Sequence, residues 1–488
     1  MRRVYVRELK PYSLREIAEI FGASLEESRR VIDRLMLRGV VRYRNVDAPD
    51  GADLSDEADA KPDELYVFNF VGMAMVGDLV LIAYPKYFRD GRPDDTEIAQ
   101  LFRVLRRDSG RKTLVSLVGN GKRTPDRLPI MLALLDLYTE YGEYSNYVDA
   151  RELNGGGVID WNRTIDEHLP FISEGRPIYV EYETRKTLRD ESDFITRLHR
   201  AVLVECSQKL KDAGIADLLS VDVDGVPTTD ESLGDFGDVS ALEWRLGRER
   251  GVQFIDWKIA ALELLAKYLL SRENDAEDRE VEVLGTTSFY HLWEEACKTA
   301  LGDRLDVRLD RLGVSLADGW EGEGSSTLLG IIPHPEWERW RGEGYGKAEE
   351  TDTLIPDTIS FVDDDGKSVF CIYDAKYYVP SLNGRMKRQP GLESVTKQFL
   401  YQSAYRPFVE DHDFDAVVNA FLVPTCDDEP RKLARVSFPK VMGKVDPPFS
   451  NYIVMWALPA REVFDAYLQG ERIDGGVLRT VWESEVCR

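Results

Sequence analysis

The chain has 488 residues, of which 43% are hydrophobic, and a formal net charge of -25. This length exceeds what one ordinary hydrophobic core holds, so we expect about two to four domains, and the composition is that of a globular rather than a disordered protein. The net charge argues against non-specific coating of nucleic acid or membranes, although a local basic surface is compatible with it.

The sequence shows neither a targeting signal nor paired cysteines. The sequence contains no apolar run of about 18 residues, the length of a membrane-spanning helix. The opening MRRVYVRELK is not followed by the apolar region of a signal peptide. We therefore expect a cytoplasmic protein without membrane contact. The cysteines show no paired spacing, so neither disulfides nor zinc sites are expected.

The first predicted elements are two short helices. The pattern predicts a helix over about Leu14–Phe21 that turns at Gly22, and a second helix that is capped by Ser24 and ends at Gly39. The second helix is expected to bury an apolar stripe made of Leu25, Val31, Ile32, Leu35 and Met36. A strand VVRYR, an acidic loop at 47–63 and one strand YVFNFVGMAMV would complete a winged-helix pattern, within an N-terminal domain of residues 1–120.

Basic side chains are predicted on the outer face of the second helix. They are Arg29, Arg30, Arg34 and Arg38. These arginines suit contacts with DNA phosphates. They would equally occur on a small helical domain that they only solvate, or on a winged helix that binds protein, and the sequence leaves these alternatives open.

Residues 121–275 are predicted to form a mainly helical middle region that docks a partner. Helical periodicity covers DRLPIMLALLDLYTEYGEY, residues 193–215 and residues 252–270, and GGGVIDWNRTIDEHLP predicts a turn, a short strand and a helix that begins at Asp160 or Thr164. No GxxxxGK[ST] phosphate loop occurs in the sequence. A nucleotide-driven step would therefore need another subunit.

The predicted C-terminal domain, residues 276–488, carries the chemistry. An amphipathic helix SFYHLWEEACKTALGD places Glu294 beside its buried seam, and IPDTISFV and SVFCIYDAKYYV read as a hairpin with an Asp-Gly turn. Asp357, at the start of the first strand, then lies near Asp374 at the end of the second, and Lys376 shares the face of Asp374. Other Asp-x-Lys triplets, such as Asp256-Trp257-Lys258, fall in loops, turns or helices.

Two close carboxylates and a lysine have two interpretations. A divalent cation with oxygen ligands neutralises both carboxylates, and the lysine can orient or help deprotonate a water on the metal or offset charge on a phosphate under attack. Metal-dependent phosphodiester cleavage is the favoured interpretation. The alternative is a non-catalytic DNA-binding adaptor that uses the winged helix and has a structural hairpin at 354–378.

A basic segment follows the hairpin, and we expect it to contact DNA. Its basic side chains are Arg385, Lys387, Arg388, Lys397 and Arg406, against one acid, Glu393. In the next helix, Gln398 shares a face with Tyr401, Gln402 and Tyr405; Gln398 could hold a site ligand or a phosphate, and the tyrosines could simply pack. The strands VVNAFLVP and YIVMWAL with the helix PAREVFDAYL would complete a mixed sheet flanked by helices.

The order of helix LWEEAC, strand IPDTI, strand CIYDAKYY and helix TKQFLYQSAY resembles the PD-(D/E)xK nuclease superfamily. Together with YVFNFVG, YPKYF and EYGEY...GGGVIDWNRTI, the chain resembles the LlaJI family of restriction endonuclease subunits. More distantly it resembles the nuclease partner of McrBC-type systems, in which a separate AAA+ GTPase binds and moves DNA. The resemblance implies an α+β multidomain fold with a C-terminal α/β domain of restriction-endonuclease type.

The resemblance also implies roles and partners. By it, Asp357, Asp374 and Glu294 are ligands of Mg2+, for which Mn2+ could substitute, Lys376 is the catalytic lysine and Gln398 is the motif glutamine. The QxxxY spacing of some superfamily branches is not met, because Gln398-x-x-x-Gln402 stands here. The implied substrate is double-stranded DNA, and the implied partners in a phage-defence system are an AAA+ GTPase and a cognate DNA methyltransferase.

Overall fold

The computed structural model describes residues 1–44, 65–89, 91–118, 127–273, 281–364, 366–381 and 386–473. Within them the chain is a mixed α+β multidomain protein, as predicted, and it divides into two compact units. The first unit comprises Arg2–Asp108 together with the residues from Leu284 onward, and the second comprises Ser109–Val283. None of the helices in the described ranges has the length and apolarity needed to cross a membrane.

The N-terminal section contains small sheets and three helices. In chain order its elements are β1 (Arg2–Arg7), β2 (Pro11–Ser13), α1 (Leu14–Phe21), α2 (Leu25–Leu37), β3 (Val41–Tyr43), β4 (Leu65–Phe68), β5 (Val71–Val76), β6 (Leu79–Tyr84) and α3 (Asp95–Val118). Strands β2, β4 and β3 form a three-stranded antiparallel sheet in that order. Strands β1, β6 and β5 form most of a second sheet, in which β1 and β6 are parallel.

Both N-terminal helices begin at the predicted positions, and each follows a capping serine. Ser13 and Ser24 each accept a hydrogen bond from the backbone amide of the third helical residue, and the glutamate carboxylate there accepts one from the serine backbone amide. Gly22, with φ of 58°, ends α1. Helix α2 buries Ser28, Ile32 and Leu35. The predicted burial of Leu25 is wrong, because its side chain is 49% exposed. The buried stripe of α2 begins one turn later, at Ser28.

The predicted single strand YVFNFVGMAMV is wrong, because this run forms two strands in two sheets. Strand β4 pairs with β2 and β3, whereas β5 pairs with β6. The run is apolar almost throughout, so its pattern hides the change of sheet. Gly72, with φ of 145°, allows a close approach of two backbones, since a Cβ there would lie 2.2 Å from the Leu284 carbonyl oxygen.

The second unit combines the predicted helices with small exposed sheets. Its elements are α4 (Arg127–Tyr141), β7 (Tyr147–Leu153), β8 (Val158–Ile159), α5 (Trp161–Glu167), β9 (Phe171–Ser173), β10 (Arg176–Ile178), β11 (Glu183–Arg189), α6 (Phe194–Ala213), α7 (Val239–Arg250) and α8 (Asp256–Glu273). Asp160, the first of the two predicted starts, caps α5, whereas Thr164 lies inside the helix. The sheets β7-β11-β8 and β10-β9 were not predicted. Their strands are mostly exposed on both faces, so no apolar alternation marks them.

The last part of the chain begins at β12, whose residues from Leu284 onward belong to the first unit, and it contains the largest sheet. Its elements are β12 (Val281–Thr286), α9 (Phe289–Leu301), β13 (Glu336–Trp337), β14 (Glu349–Glu350), β15 (Thr358–Asp364), β16 (Lys367–Ala375), α10 (Leu392–Ala404), α11 (Arg406–Asp411), β17 (Ala416–Thr425), β18 (Arg431–Val436), α12 (Pro439–Met442), β19 (Ile453–Pro459) and α13 (Ala460–Gln469). Strand β12 adds to the edge of the four-stranded sheet β1-β6-β5-β12.

The five-stranded sheet has the order β15-β16-β17-β19-β18. The inner strands β16, β17 and β19 are parallel, and the two edge strands are antiparallel to their neighbours. The predicted mixed sheet is therefore confirmed. Helix α9 buries the predicted seam, which consists of Phe289, Leu292, Trp293, Ala296 and Cys297. The loop at 47–63, Asp365 of the predicted turn and Arg385 lie outside the described residues.

Candidate active site

The antiparallel hairpin of β15 and β16 brings Asp357 and Asp374 together. Thr358 pairs with Tyr373, so Asp357, one residue before β15, lies opposite Asp374 near the end of β16. Asp357 Oδ2 accepts a hydrogen bond from the Ala375 backbone amide at 3.1 Å. The proximity that was predicted from the hairpin geometry is therefore present.

Lys376 lies directly beside the two carboxylates. Its Nζ is 2.8 Å from Asp374 Oδ2 and 4.0 Å from Asp357 Oδ2. The Lys376 backbone amide donates to the Leu422 carbonyl on β17 at 2.8 Å. Trp293 Nε1 of α9 donates to the same carbonyl at 3.2 Å. One carbonyl of β17 thus anchors both the lysine-bearing segment and the helix that carries Glu294.

The charges of this group influence each other strongly. Burial, and then the Asp357 carboxylate, raise the pKa of Asp374 to about 7, against the opposing effect of Lys376. Burial disfavours the charged form of Lys376, yet the two aspartates raise the lysine pKa above its usual value. Burial and then Asp357 raise the pKa of Glu294, while His291, 3.2 Å away, opposes that shift. Glu294 therefore belongs to the same electrostatic cluster.

The two aspartates have the chemistry that a divalent cation requires. Asp374 Oδ2 is buried, and it has an ammonium neighbour but no hydrogen bond of good geometry. A cation would stabilise two adjacent carboxylates of which one has a raised pKa. In the described ranges, no three His, Cys, Asp or Glu side chains are grouped closely enough to surround a metal ion. Mg2+ is usually held by one or two carboxylates and water, so Asp357 and Asp374 fit as a ligand pair.

Gln398 contacts the sheet rather than the carboxylates. Its Nε2 donates to the Ile372 carbonyl at 3.1 Å, and Asn419 Nδ2 donates to the Gln398 carbonyl at 3.2 Å. Ile372 lies two residues before Asp374 on β16. The sequence left two roles open for Gln398, to hold a site ligand or to contact a phosphate, and this hydrogen bond tests neither. What the contact does is fix α10 to the strand that carries Asp374.

Tyr401 is a residue of the site that the sequence did not single out. Its hydroxyl donates to the Ile355 carbonyl at 2.9 Å, and so holds the chain two residues before Asp357. Burial raises the pKa of Tyr401, and the charges of Asp374 and Asp357 raise it further. The only sequence signal was its helical spacing from Gln398, which packing alone would also produce.

Arg89 is a second contributor that the sequence missed. Its guanidinium donates to the carbonyls of Val379 and Pro380, in the segment that follows Lys376. Arg89 itself is held by Arg7, whose guanidinium donates to the Arg89 carbonyl at 3.2 Å. The N-terminal section therefore clamps the chain just beyond the site, a contact across roughly three hundred positions that no local pattern reveals.

Among the described basic side chains that were predicted to contact DNA, Lys387 and Lys397 are exposed, and Arg388 and Arg406 are half-buried. Lys397 forms an ion pair with Glu393 at 2.6 Å, one turn away on α10. The backbones of Ser381 and Lys387 exchange two hydrogen bonds, at 3.1 and 3.2 Å, and Arg388 has φ of 57°. Exposed pairs of this kind are weak, so Lys397 is able to exchange its partner for a phosphate.

The arginines of α2 lie at the opposite end of the sequence. Arg29, Arg30 and Arg38 are exposed and Arg34 is half-buried. Arg30 forms an exposed ion pair with Glu26 one turn before it. Contact of these arginines with DNA stays a prediction.

Residues 70–308 and 325–447 match the LlaJI restriction endonuclease family. The chain belongs to this family. The resemblance seen in the sequence is thereby confirmed, and LlaJI membership identifies the chain as a component of a restriction system. Glu294, Asp357, Asp374, Lys376 and Gln398 all fall inside the matched ranges.

A curated relative and two solved structures are also similar to this LlaJI-family chain. The Bacillus subtilis (strain 168) protein named Type II restriction enzyme BsuMI component YdjA is 26% identical over 421 residues, which cover 83% of this chain and 81% of the relative. McrC bound to McrB AAA+ hexamers of Thermococcus gammatolerans, in a half-complex from a tetradecameric assembly, gives a TM-score of 0.38 at 14% identity, covering 96% of this chain and 99% of that chain. The cryo-EM structure of the Thermococcus gammatolerans McrBC complex gives a TM-score of 0.23 at 17% identity, covering 55% of this chain and 80% of that chain. Similarities at these TM-scores carry no conclusion about this chain.

Proposed function

We propose that this chain is the Mg2+-dependent DNA endonuclease subunit of its restriction system, with a PD-(D/E)xK site in the five-stranded sheet. The observation that supports this most directly is the convergence of Asp357, Asp374 and Lys376 at the end of one hairpin. Family membership supports the same reaction class. The reaction is hydrolysis of a phosphodiester bond in double-stranded DNA.

Each residue has a role that its surroundings make chemically reasonable. Asp357 and Asp374 would hold Mg2+, or Mn2+ in its place, and Glu294 would support them from α9. The bound ion supplies Lewis-acid activation of water and phosphate. Lys376 remains charged beside the aspartates, so it can orient the attacking water and offset the negative charge that develops on the phosphate. Gln398 and Tyr401 position the two strand ends.

The other parts of the chain would load and position the DNA. We propose that residues 1–120 contain a winged-helix domain for DNA or protein contact, residues 121–275 dock a partner, and residues 276–488 cleave. The partner is an AAA+ GTPase, because the chain has no phosphate loop of its own. The relative's printed name, a component of a restriction enzyme, agrees with a multi-subunit system. A cognate DNA methyltransferase and a cytoplasmic location complete the proposal.

The ion pair between Lys376 and Asp374 also favours a second candidate function. At 2.8 Å the pair satisfies both charges without a metal, as in a structural ion pair. The chain would then be a DNA-binding adaptor, with the winged helix as its working surface. The two candidates differ in whether Asp374 is needed for cleavage.

Cleavage by the reconstituted complex distinguishes them. Plasmid DNA is incubated with the chain and its partner subunits, with nucleotide and with Mg2+, Mn2+ or EDTA. We expect nicking or linearisation that requires the metal and is lost in Asp374→Asn, while the variant stays folded by circular dichroism. Asp256→Asn is the matched control, because it alters the acid of an Asp-x-Lys triplet that starts α8. If folded Asp374→Asn cuts as well as the parent protein, the hairpin is not the active site.

A further inference from the structure

A short hairpin with exposed aromatic rings precedes the strand of Asp357. Strand β13 pairs with β14 in antiparallel register, and an isolated bridge joins Trp340 to Tyr345. We call residues 336–350 the aromatic hairpin. Trp337, Trp340 and Tyr345 are 68%, 59% and 69% exposed. Large aromatic side chains are normally well buried, so three in nine positions on one exposed hairpin indicate a binding surface.

The outer part of this hairpin is basic although the whole chain is strongly acidic. Residues 339–347 contain Arg339, Arg341 and Lys347 against one acid, Glu343. None of these three basic side chains forms an ion pair with any residue that the structure describes. The remaining acids of the hairpin, Glu336, Glu338, Glu349 and Glu350, lie toward its base. The end of the hairpin therefore presents cations and rings to an anionic partner.

The base of the aromatic hairpin is fixed close to the candidate active site. His334 Nδ1 lies 2.6 Å from the Thr351 carbonyl oxygen, and Thr353 Oγ1 donates to the Pro333 carbonyl at 2.7 Å. Asp357 follows Thr353 by four residues, which span at most roughly 14 Å when fully extended. Tyr401 holds this link through its hydrogen bond to Ile355. The hairpin base is thus joined to the strand of Asp357 by only a short link.

We propose that the aromatic hairpin binds DNA beside the cleavage site, with Trp337, Trp340 and Tyr345 stacking on unpaired bases and the three basic side chains contacting phosphates. This inference rests on the proposed function for its choice of DNA. Aromatic rings stack on any base, because every base has a flat π-face, and neighbouring cations follow the backbone. Trp340 and Tyr345 already meet edge to face, with centroids 5.3 Å apart, so the two rings expose separate stacking surfaces.

Binding by nuclease-inactive protein tests the inference separately from cleavage. The full-length Asp374→Asn chain, alone and with its partner subunits, is titrated against a fluorescein-labelled single-stranded oligonucleotide and against the matching duplex. Trp337→Ala, Trp340→Ala and Tyr345→Ala are combined in one variant. We expect its affinity for the single strand to fall about tenfold or more, with a smaller fall for the duplex, because stacking requires unpaired bases. Replacing the same three residues with Phe keeps the rings and should restore most of the affinity.

A matched control comes from the second unit. Trp161→Ala, Trp244→Ala and Tyr147→Ala remove similarly exposed rings, at 53%, 65% and 66%, and should leave the single-strand affinity of the chain alone, without partner subunits, within about twofold. Equal affinities of the hairpin variant and its parent overturn the inference. So does a loss of partner association with DNA affinity unchanged, which would make the hairpin a protein interface. If the ring-dependent binding appears but the Asp374-containing complex never cuts DNA, the hairpin stands as a DNA contact and only the nuclease assignment falls.

Discussion

The Tyr377 hydroxyl donates a hydrogen bond to Glu8 Oε2, although the two residues lie 369 positions apart in the sequence. Glu8 is 7% exposed, and its carboxylate also accepts a hydrogen bond from the Lys86 backbone amide at 3.1 Å. The Lys86 ammonium lies 4.5 Å from the centroid of the Tyr377 ring. Tyr377 directly follows Lys376, so the N-terminal section holds the segment that presents the candidate catalytic lysine.

Removing this hydroxyl should loosen the position of Lys376. Tyr377→Phe takes one donor from a buried carboxylate, which costs roughly 1–3 kcal/mol of unfolding free energy. We expect a slower single-turnover cleavage rate at unchanged DNA affinity, because the variant alters the placement of a reacting group and not the binding surface. Urea unfolding and single-turnover cleavage measure the two effects.

Tyr43→Phe is the control for this prediction, because Tyr43 lies half exposed on β3. It should change neither quantity. A Tyr377→Phe protein that unfolds more easily but cleaves at the parent rate would show that the Glu8 contact is only structural.

Replacing Lys376 and replacing Asp357 should have different effects on cleavage rate and metal affinity. Lys376→Ala removes a positive charge aimed at the transition state, so we expect a loss on the order of 100-fold or more in cleavage rate with metal affinity retained. Asp357→Ala removes a ligand, so Mn2+ binding and cleavage should be lost together. Calorimetric titration with Mn2+ and single-turnover cleavage separate these outcomes.

The control for Lys376 lies on the same hairpin. Lys367 is exposed at the start of β16, the far end of the strand, and Lys367→Ala should cleave like the parent protein. Loss of Mn2+ binding in Lys376→Ala would contradict the assigned role of the lysine, since it would then maintain the ligand geometry instead of acting on the phosphate.

The elements around the site could be predicted because their signals are local. Ser13, Ser24 and Gly22 have the side chains or the backbone freedom that helix ends need, and the structure places helix ends there. The strands of the hairpin are apolar and short, and antiparallel pairing fixes that Asp357 faces Asp374. The carboxylate pair follows from these two facts alone.

The features that the sequence did not predict depend on tertiary contacts. Glu8 and Arg89 act on the segment after Lys376 from the other end of the chain, and no periodicity reports such contacts. Tyr401 has the same helical spacing as a packing residue, and only its hydrogen bond to Ile355 reveals its position at the site. The aromatic hairpin was hidden in a glycine-rich connection because its strands are two residues long.

The arginines of α2 provide a test of the N-terminal section. Replacing Arg29, Arg30, Arg34 and Arg38 with Ala should weaken binding of duplex DNA and flatten its dependence on salt, because each lost phosphate contact lowers the log-log slope by about 0.9. The pair of Arg30 with Glu26 is exposed, so stability should change little. Fluorescence anisotropy at several salt concentrations gives the slope.

A charge-matched control replaces four exposed arginines of the second unit, namely Arg151, Arg176, Arg185 and Arg248. If both quadruple variants lose the same amount of DNA affinity and keep the parent's dependence on salt, the loss of affinity comes from the change in net charge. An α2 variant that binds DNA normally but no longer associates with the partner subunits would make this section a protein-docking domain.

The raised pKa of Asp374 predicts how stability depends on pH without metal. Burial, and then Asp357, raise this pKa to about 7 in the folded protein, whereas an aspartate in an unfolded chain titrates near 3.9. A group whose folded pKa is raised stabilises the fold below its unfolded pKa, and this contribution is lost as the pH rises through the folded value. The free energy of unfolding of the parent protein should therefore contain a component that falls between about pH 4 and pH 7.

The Asp374→Asn variant lacks the titrating carboxyl group. Its free energy of unfolding relative to the parent should therefore rise between about pH 4 and pH 7. We expect a rise on the order of 2 kcal/mol, less than the full shift would give because Asp357 and Lys376 share the titration. Urea unfolding in EDTA at several pH values measures it, and Asp256→Asn reports pH effects unrelated to the carboxylate pair. Saturating Mg2+ at pH 8 should stabilise the parent but not Asp374→Asn, because binding to the folded state alone raises its stability. A difference between variant and parent that is flat across the window would mean that Asp374 is ionised throughout, held by Lys376 as a structural pair.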